Sequence, residues 1–302
     1  MEVLVRLLAL LAVLLVGAGF RSSGVLDAGR TARLNAVAYY GALPALIFVS
    51  TYEQSIGELV SGALIAGLLV VLFTTAGLAW VVHRTQEASG RQSVAVVQSY
   101  HSNLGYLGLP LVAATFGAQV TAVASVILGV VTLIQLPLTI VVLSTVNGTD
   151  AELTGALRGL ATNPVLLSLV AGLATGSIGA TVPGTLALGL DAVGSLALPL
   201  ALLCVGASLT IDLPSIDFGA TGSVVALKIV WMPVLAWAVF SALAVDTATF
   251  VAAVVMFGTP TAVSTYVFAA ELGGDEQFAS LNVFTTTLVS ILTLFVLITL
   301  VT

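Results

Sequence analysis

Long apolar runs separated by short polar connections make up almost the whole chain. Uncharged tracts occupy residues 34–52, 59–82, 92–149, 159–190, 192–211, 247–270 and 277–302. A helix needs about 20 apolar residues to cross the roughly 30 Å hydrocarbon core of a bilayer. The pattern therefore predicts an all-α integral membrane protein with ten transmembrane helices, near residues 3–20, 32–52, 57–82, 92–116, 119–145, 160–180, 184–210, 219–243, 247–271 and 276–301.

Composition supports the membrane class. Hydrophobic residues make up 59% of the 302 residues and charged residues only 7%, whereas about 25% is usual for globular proteins. The net charge of -6 offers no basic surface for nucleic acid. Cys204 is the single cysteine, which excludes an intramolecular disulfide, and it lies in an apolar run as a small core residue would. The sequence indicates no cofactor and no metal site.

The first twenty residues allow a second interpretation, since an apolar stretch after Arg6 is typical of a signal peptide. The acidic Glu2 and the absence of a small-x-small cleavage site favour a membrane helix. Arginines flank the odd-numbered connections between helices, at Arg21, Arg30, Arg33, Arg84, Arg91 and Arg158. By the positive-inside bias these connections face the cytoplasm. We therefore expect a multi-pass plasma-membrane protein with both termini outside.

Two pairs of similar segments indicate an internal repeat. LNAVAYYGALPALIF (34–48) resembles LDAVGSLALPLALL (190–203), and YLGLP (106–110) resembles MFGTP (256–260). The pairs are similarly spaced, so the predicted helices one to five correspond to six to ten. Because five is odd, equivalent helices cross in opposite directions and the repeat is inverted. The halves are predicted at 1–147 and 160–302, joined by a cytoplasmic connection at 148–159.

Glycine and proline interrupt the fourth and ninth predicted helices. Proline removes a backbone donor and clashes with the carbonyl four residues earlier, and lipid does not tolerate the resulting unpaired groups unless protein or a water-filled cavity surrounds them. We therefore predict that Gly108 with Pro110, and Gly258 with Pro260, break these helices and that the two breaks cross at Pro110 and Pro260. Each following half-helix would begin with free N–H groups, which favour an anion.

Polar residues beside the breaks complete a predicted substrate site. Asn103 lies two turns before Pro110, and hydroxyl groups follow the second break, at Thr259, Thr261, Ser264 and Thr265. The alternative is that glycines and prolines in membrane helices merely kink or pack them. We interpret Pro44, Pro137, Pro199 and Pro233 in that way.

Several segments also resemble the auxin efflux carrier family. They are LPALIF (43–48), SNLGYLGLPLVAATFG (102–117), NPVLLSLVAGL (163–173), LALPLALLCVGASL (196–209) and PTAVSTYVFAAELGGDEQFAS (260–280), distributed over nearly the whole chain. The family includes plant PIN-type carriers and prokaryotic transporters assigned to dicarboxylates such as malonate and malate.

The resemblance implies a scaffold of helices 1, 2, 6 and 7 and a transport domain of helices 3–5 and 8–10. It implies a homodimer formed through the scaffold, and a substrate carboxylate bound at the crossing with help from an Asn seven positions before the first proline, which is Asn103 here. Two departures stand out. Ser264 replaces an Asn common in prokaryotic relatives, which leaves the substrate open, and the long cytoplasmic loop of plant members is absent.

Ionisable residues inside predicted helices are candidates for coupling or gating, because they are costly in a bilayer. Lys228 is the deepest cation, and it could equally form a structural ion pair. Glu271 closes the ninth helix, where a surface position is the simpler interpretation. His101 precedes Asn103 by two residues and could carry protons, although packing is the simpler role.

These features predict a secondary transporter of a small organic anion by alternating access, with proton coupling as one candidate driving force. A sodium-coupled symporter like the bile acid carriers is the main alternative, although sodium sites need convergent oxygen ligands and acids are scarce in these helices. An intramembrane enzyme is disfavoured because HExxH, paired intramembrane aspartates and a nucleophile elbow are missing. A channel would not need two symmetric broken helices.

Overall fold

A computed structural model describes residues 2–150, 153–208 and 218–302. In the first half the helices are α1 (Glu2–Ser22), α2 (Ala28–Val37), α3 (Leu43–Thr51), α4 (Ile56–Leu59), α5 (Gly62–His83), α6 (Ser89–Tyr100), α7 (Leu109–Thr115) and α8 (Ala118–Asn147). In the second half they are α9 (Leu153–Ala161), α10 (Pro164–Ser177), α11 (Gly184–Gly194), α12 (Ala197–Ser208), α13 (Phe218–Val225), α14 (Met232–Ala242), α15 (Thr247–Phe257), α16 (Ser264–Glu271) and α17 (Glu276–Val301).

Several of these helices are long and apolar enough to cross a membrane. There are six among the described residues, at Ala28–Thr51, Gly62–His83, Ala118–Asn147, Gly184–Ala207, Gly219–Ala242 and Glu276–Val301. The described residues contain one isolated β-bridge and no β-strand. The predicted all-α membrane class is therefore supported.

Three π-helical turns carry the chain past prolines. They are Ala38–Ala42, Leu104–Gly108 and Ala226–Trp231, and Pro44, Pro110 and Pro233 follow in the first turn of α3, α7 and α14. A π turn bonds each N–H one residue further back than an α-helix does, as Gly108 N does to Asn103 O at 3.0 Å. The wider turn lets the helix continue into a proline that lacks a donor.

The predicted break at Pro110 is therefore wrong. Pro110 is buried inside α7, and the interruption lies earlier, at residues 101–103 between α6 and the π turn. The second interruption lies between α15 and α16 and includes Pro260. Each of the two predicted helices thus consists of two shorter ones.

Two further boundaries differ from the sequence prediction. The connection expected at 148–159 contains most of α9, and the next helix begins at Pro164 instead of 160. Its start is fixed by Asn163, whose Oδ1 accepts from Val165 N at 2.9 Å, followed by proline at the first helical position. The helix predicted at 184–210 is interrupted at Ser195 and Leu196, because the Pro199 ring would clash with the carbonyl of residue 195.

Close contact between α1 and α12 depends on glycine. A Cβ at Gly206 would collide with the Leu14 carbonyl oxygen, and a Cβ at Gly17 with the Leu203 carbonyl oxygen. Small residues let membrane helices approach this closely.

We expect Gly206→Ala to lower stability by about 1–3 kcal/mol through overpacking, measured as a lower melting temperature of the detergent-solubilised protein. Gly19 lies on the partner helix α1, where an added Cβ would meet no neighbouring atom within 4 Å, so Gly19→Ala is the control and should melt like the wild type. Equal melting temperatures for both variants would contradict the proposed close contact.

A polar cluster joins the ends of α6, α8 and α17. Arg91 pairs with Asp275 at 3.3 Å, and Asn147 donates from Nδ2 to Leu272 O at 2.8 Å. Asp275 N also donates to Gly90 O at 3.0 Å. These bonds fix the start of α6 against the loop between α16 and α17, so the two interrupted segments keep one relative position.

Candidate functional site

The two interruptions lie side by side and pair through their backbones. Asn103 N donates to Pro260 O at 2.9 Å, and Ala262 N donates to His101 O at 3.0 Å. These bonds place Ser102 opposite Thr261 in an isolated antiparallel bridge. Each interruption therefore supplies the hydrogen-bond partners that the other has lost, as a protein-enclosed break requires in a membrane.

Side chains from two long helices satisfy the outer edges of this bridge. Ser102 N donates to Gln135 Oε1 at 3.2 Å, and Gln135 Nε2 donates back to Ser102 O at 3.3 Å. On the other side Thr261 N donates to Thr286 Oγ1 at 3.4 Å. Sequence reasoning missed Gln135 and Thr286. The signal available was an uncharged polar residue inside a long apolar helix.

A second buried network, also missed, holds the start of α16. Gln98 Nε2 donates to Thr265 Oγ1 at 2.9 Å and to Ala279 O at 3.0 Å. Asn282 Nδ2 donates to Gln98 Oε1 at 2.9 Å. The network joins α6, α16 and α17, and so fixes the position of Ser264 at the beginning of α16.

A cavity of about 780 Å³ lies beside the paired interruptions. Both interrupted segments contribute to its wall, and so do α2, α8, α12 and α17. Lining residues of the two segments are His101, Ser102, Asn103, Gly105, Tyr106, Ala262, Val263 and Ser264. At one end the lining includes the exposed residues Ala28, Ala32 and Asn35, so the cavity opens to the surface there.

A smaller cavity of about 30 Å³ lies elsewhere along the same segments. Its lining is mostly apolar, with Leu14, Leu107, Leu111, Leu202, Ile291 and Leu294 joined by Asn103, Pro260, Thr287 and Ser290. Asn103 and Val205 line both cavities. Asn103 therefore lies between the large cavity and the small one.

Asn103 carries a buried donor with no acceptor. Its side chain is 3% exposed, and its Oδ1 accepts from Tyr106 N at 3.3 Å. Since Tyr106 N is a donor, this contact identifies the oxygen end of the amide. The Nδ2 group has no hydrogen-bond partner among the described residues. An unpaired buried donor costs about 1–3 kcal/mol, so its presence at the cavity wall points to an acceptor supplied by a ligand.

Backbone donors lie at the same wall. The N–H groups of Gly105, Val263 and Ser264 have no acceptor within the part of the chain that the structure describes, and all three residues line the cavity. Gly105 is the second residue of the π turn, and Val263 and Ser264 are the N-cap and the first residue of α16. The arrangement can therefore offer several uncharged donors to one small acceptor group.

The other predicted site residues have packing or bonding roles. Gly108 lies against Met256 and Thr259, and Gly258 against Leu297. Thr259 Oγ1 donates to Met256 O at 2.8 Å, and Thr261 Oγ1 donates to His101 O at 3.2 Å. Of the nine predicted binding residues, only Asn103 and Ser264 line the large cavity, and Pro260 lines the small one.

The three ionisable candidates lie in different environments. His101 lines the large cavity and shares a hydrogen bond of 2.7 Å with Thr139. Lys228 is fully buried and does not line the cavity. Glu271 is exposed at the end of α16, away from the cavity.

Charged side chains are scarce around the large cavity. Arg21, in the last turn of α1, is the one Lys, Arg, Asp or Glu among the described lining residues. No group of His, Cys, Asp and Glu that could hold a metal ion occurs among the residues with described positions. Cys204 is buried, as predicted, and borders the cavity.

A family model described as "Membrane transport protein" matches residues 2–298, which is nearly the whole chain. No curated protein matches the sequence.

Proposed function

Since the chain belongs to the auxin efflux carrier family of membrane transport proteins, and is thus a membrane secondary transporter, we propose that it carries a small organic anion. The family resemblance predicted from the sequence is confirmed. The proposed substrate group is a carboxylate, held where the two interrupted segments pair. The observation that carries the proposal is the buried, unpartnered Nδ2 of Asn103 at the wall of the large cavity.

The chemistry of the wall fits an anion recognised by neutral donors. A carboxylate oxygen accepts several hydrogen bonds, and such bonds gain strength where the local dielectric is low. Asn103 Nδ2, the Ser264 hydroxyl and the unpaired backbone N–H groups can supply them. Arg21 at the rim of the cavity would attract the anion without fixing it in place.

We further propose that the chain is an inverted repeat with crossing fourth and ninth helices. Ser102 and Thr261 would be equivalent positions, since each lies opposite the other and each receives a polar side chain from the last long helix of its half. This alignment of the two halves differs from the one suggested by the sequence, which matched Pro110 with Pro260. In this proposal helices of the scaffold and of the transport domain face each other across the large cavity. The homodimer through the scaffold stays a prediction.

We propose alternating access between the two cavities. The large one opens near Ala28 and Asn35, at the arginine-flanked first connection, which we expect to be cytoplasmic. The small one is lined mostly by apolar side chains. We propose that the transporter exposes Asn103 to the opposite side when the small cavity widens and the large one closes.

Counterflow of labelled carboxylates in proteoliposomes tests this function. We expect accumulation of labelled malonate, malate or benzoate against the same unlabelled acid inside, with no requirement for sodium. Liposomes without protein are the control. Counterflow that occurs only with sodium would favour the sodium-coupled alternative, and no counterflow with any carboxylate would contradict the proposal.

A further inference from the structure

Lys228 is a buried amine that the anion site does not use. It lies in the π turn Ala226–Trp231, and its side chain has no exposed surface. Its Nζ donates to Phe257 O at 3.0 Å and lies 3.4 Å from Met232 Sδ. Phe257 is the last residue of α15, directly before the second interruption.

No carboxylate of the described residues forms an ion pair with Lys228, and it is the only Asp, Glu, Lys or Arg among their buried side chains. A charge buried without a counter-ion is strongly disfavoured. The bond to Phe257 O needs only one N–H, so a neutral amine can make it as well as an ammonium. The surroundings therefore accommodate either protonation state.

We propose that Lys228 is the proton-binding residue of this transporter, taking up a proton when an anion binds at Asn103 and releasing it when the anion leaves. The inference rests on the proposed anion transport. It names the co-transported species as H⁺ and the residue that carries it.

Contacts connect the amine to the anion site from two directions. Met232 Sδ, which touches Lys228, also accepts from Ser102 Oγ at 3.7 Å, and Ser102 precedes Asn103. On the other side, Phe257 leads into the interruption whose Pro260 O pairs with Asn103 N. A carboxylate at Asn103 would supply the negative charge that Lys228 lacks. Opposite charges in one low-dielectric region favour each other's charged form.

Other titratable groups on the neighbouring elements must be distinguished from Lys228. The π turn packs against α5, α6, α13, α14 and α17. α6 carries Arg91 and Tyr100 and is followed by His101, α5 ends at His83, and α17 begins at Glu276, whereas α13 and α14 carry none. His101 lines the cavity and directly precedes Ser102, so it is the neighbouring group that the test must distinguish from Lys228.

The number of protons taken up on binding can be measured by calorimetry. A proton that the protein takes up is released by the buffer, so the heat of binding depends on the ionisation enthalpy of the buffer. Purified protein in detergent is titrated with malonate, malate and benzoate near pH 7, by calorimetry in two buffers of different ionisation enthalpy. We expect the wild type to take up about one proton per anion bound. Lys228→Met should still bind the anion but take up about none, and His83→Gln should behave like the wild type.

The outcomes separate this proposal from the proposed function. Binding without proton uptake in the wild type overturns the role of Lys228 and leaves anion transport standing, and this result needs no variant. Proton uptake that persists in Lys228→Met but is lost in His101→Gln also overturns it, since His101 is then the proton site. No binding of any of the three acids to the wild type contradicts the function itself. In proteoliposomes, a pH gradient alone should drive accumulation by the wild type and not by Lys228→Met.

Discussion

Replacement of Asn103 by Asp is expected to weaken anion binding by about 100-fold or more. The substitution keeps the size of the side chain but replaces the unpartnered Nδ2 donor with an oxygen. A hydrogen bond to a charged group contributes about 1.5–3 kcal/mol, and the new carboxyl group would in addition oppose the anion. About 3 kcal/mol corresponds to roughly a 100-fold change in Kd.

The fold should survive this change, because an Asp oxygen can still accept from Tyr106 N. A matched control is Asn35→Asp, which adds the same charge at the exposed end of the cavity. Solvent screens that position, so only a few-fold weakening is expected there. Calorimetric Kd values and melting temperatures of the wild type and both variants provide the measurement. Binding by Asn103→Asp within a few-fold of the wild type would remove Asn103 from the site.

Replacement of Gln135 by Leu is expected to destabilise the protein by about 1–3 kcal/mol, since it leaves the buried N–H of Ser102 unpaired, whereas Ser102 O still accepts from Leu104 N at 3.0 Å. Gln135 is the side-chain partner of both Ser102 N and Ser102 O. The loss should appear as a lower melting temperature in detergent, with less monodisperse protein on size-exclusion chromatography.

Gln119→Leu is the control for this variant, since Gln119 is an exposed residue of the same helix α8. It adds the same apolar side chain without removing a bond to the bridge, and it should melt like the wild type. Gln135→Glu should be more stable at acidic pH than at neutral pH, because a protonated carboxyl group both donates and accepts as the amide does. A Gln135→Leu protein that melts like Gln119→Leu would show that the bridge does not depend on this amide.

Several parts of the site were predictable from residue type and position. Asn103 is a polar residue next to a proline-containing segment of a long apolar run, and a bilayer makes such a residue exceptional. Ser264 was predictable in the same way, because it is a polar residue just after the second interruption. The position of the first interruption was not predictable from Pro110, because a π turn lets the chain pass that proline without breaking.

The networks around the interruptions were also beyond the sequence. Gln98, Gln135 and Asn282 are uncharged amides within helices of the membrane protein, and their spacing along the chain gives no indication of what they bind. Gln98 reaches Thr265, which is 167 positions away, and Asn282 reaches Gln98 over 184 positions. Such pairs exist only after the helices have packed.

The sequence by itself determined the membrane class, the family and most helix positions, because a bilayer requires long apolar helices and this requirement acts on each segment separately. Tertiary structure alone decided where the fourth predicted helix is interrupted, which backbone groups of Ser102 and Thr261 pair, and which predicted residues reach the cavity. Those features depend on contacts between distant segments, and local composition does not encode them. The free donor of Asn103 is one such feature, since only the packed protein leaves its Nδ2 without a partner.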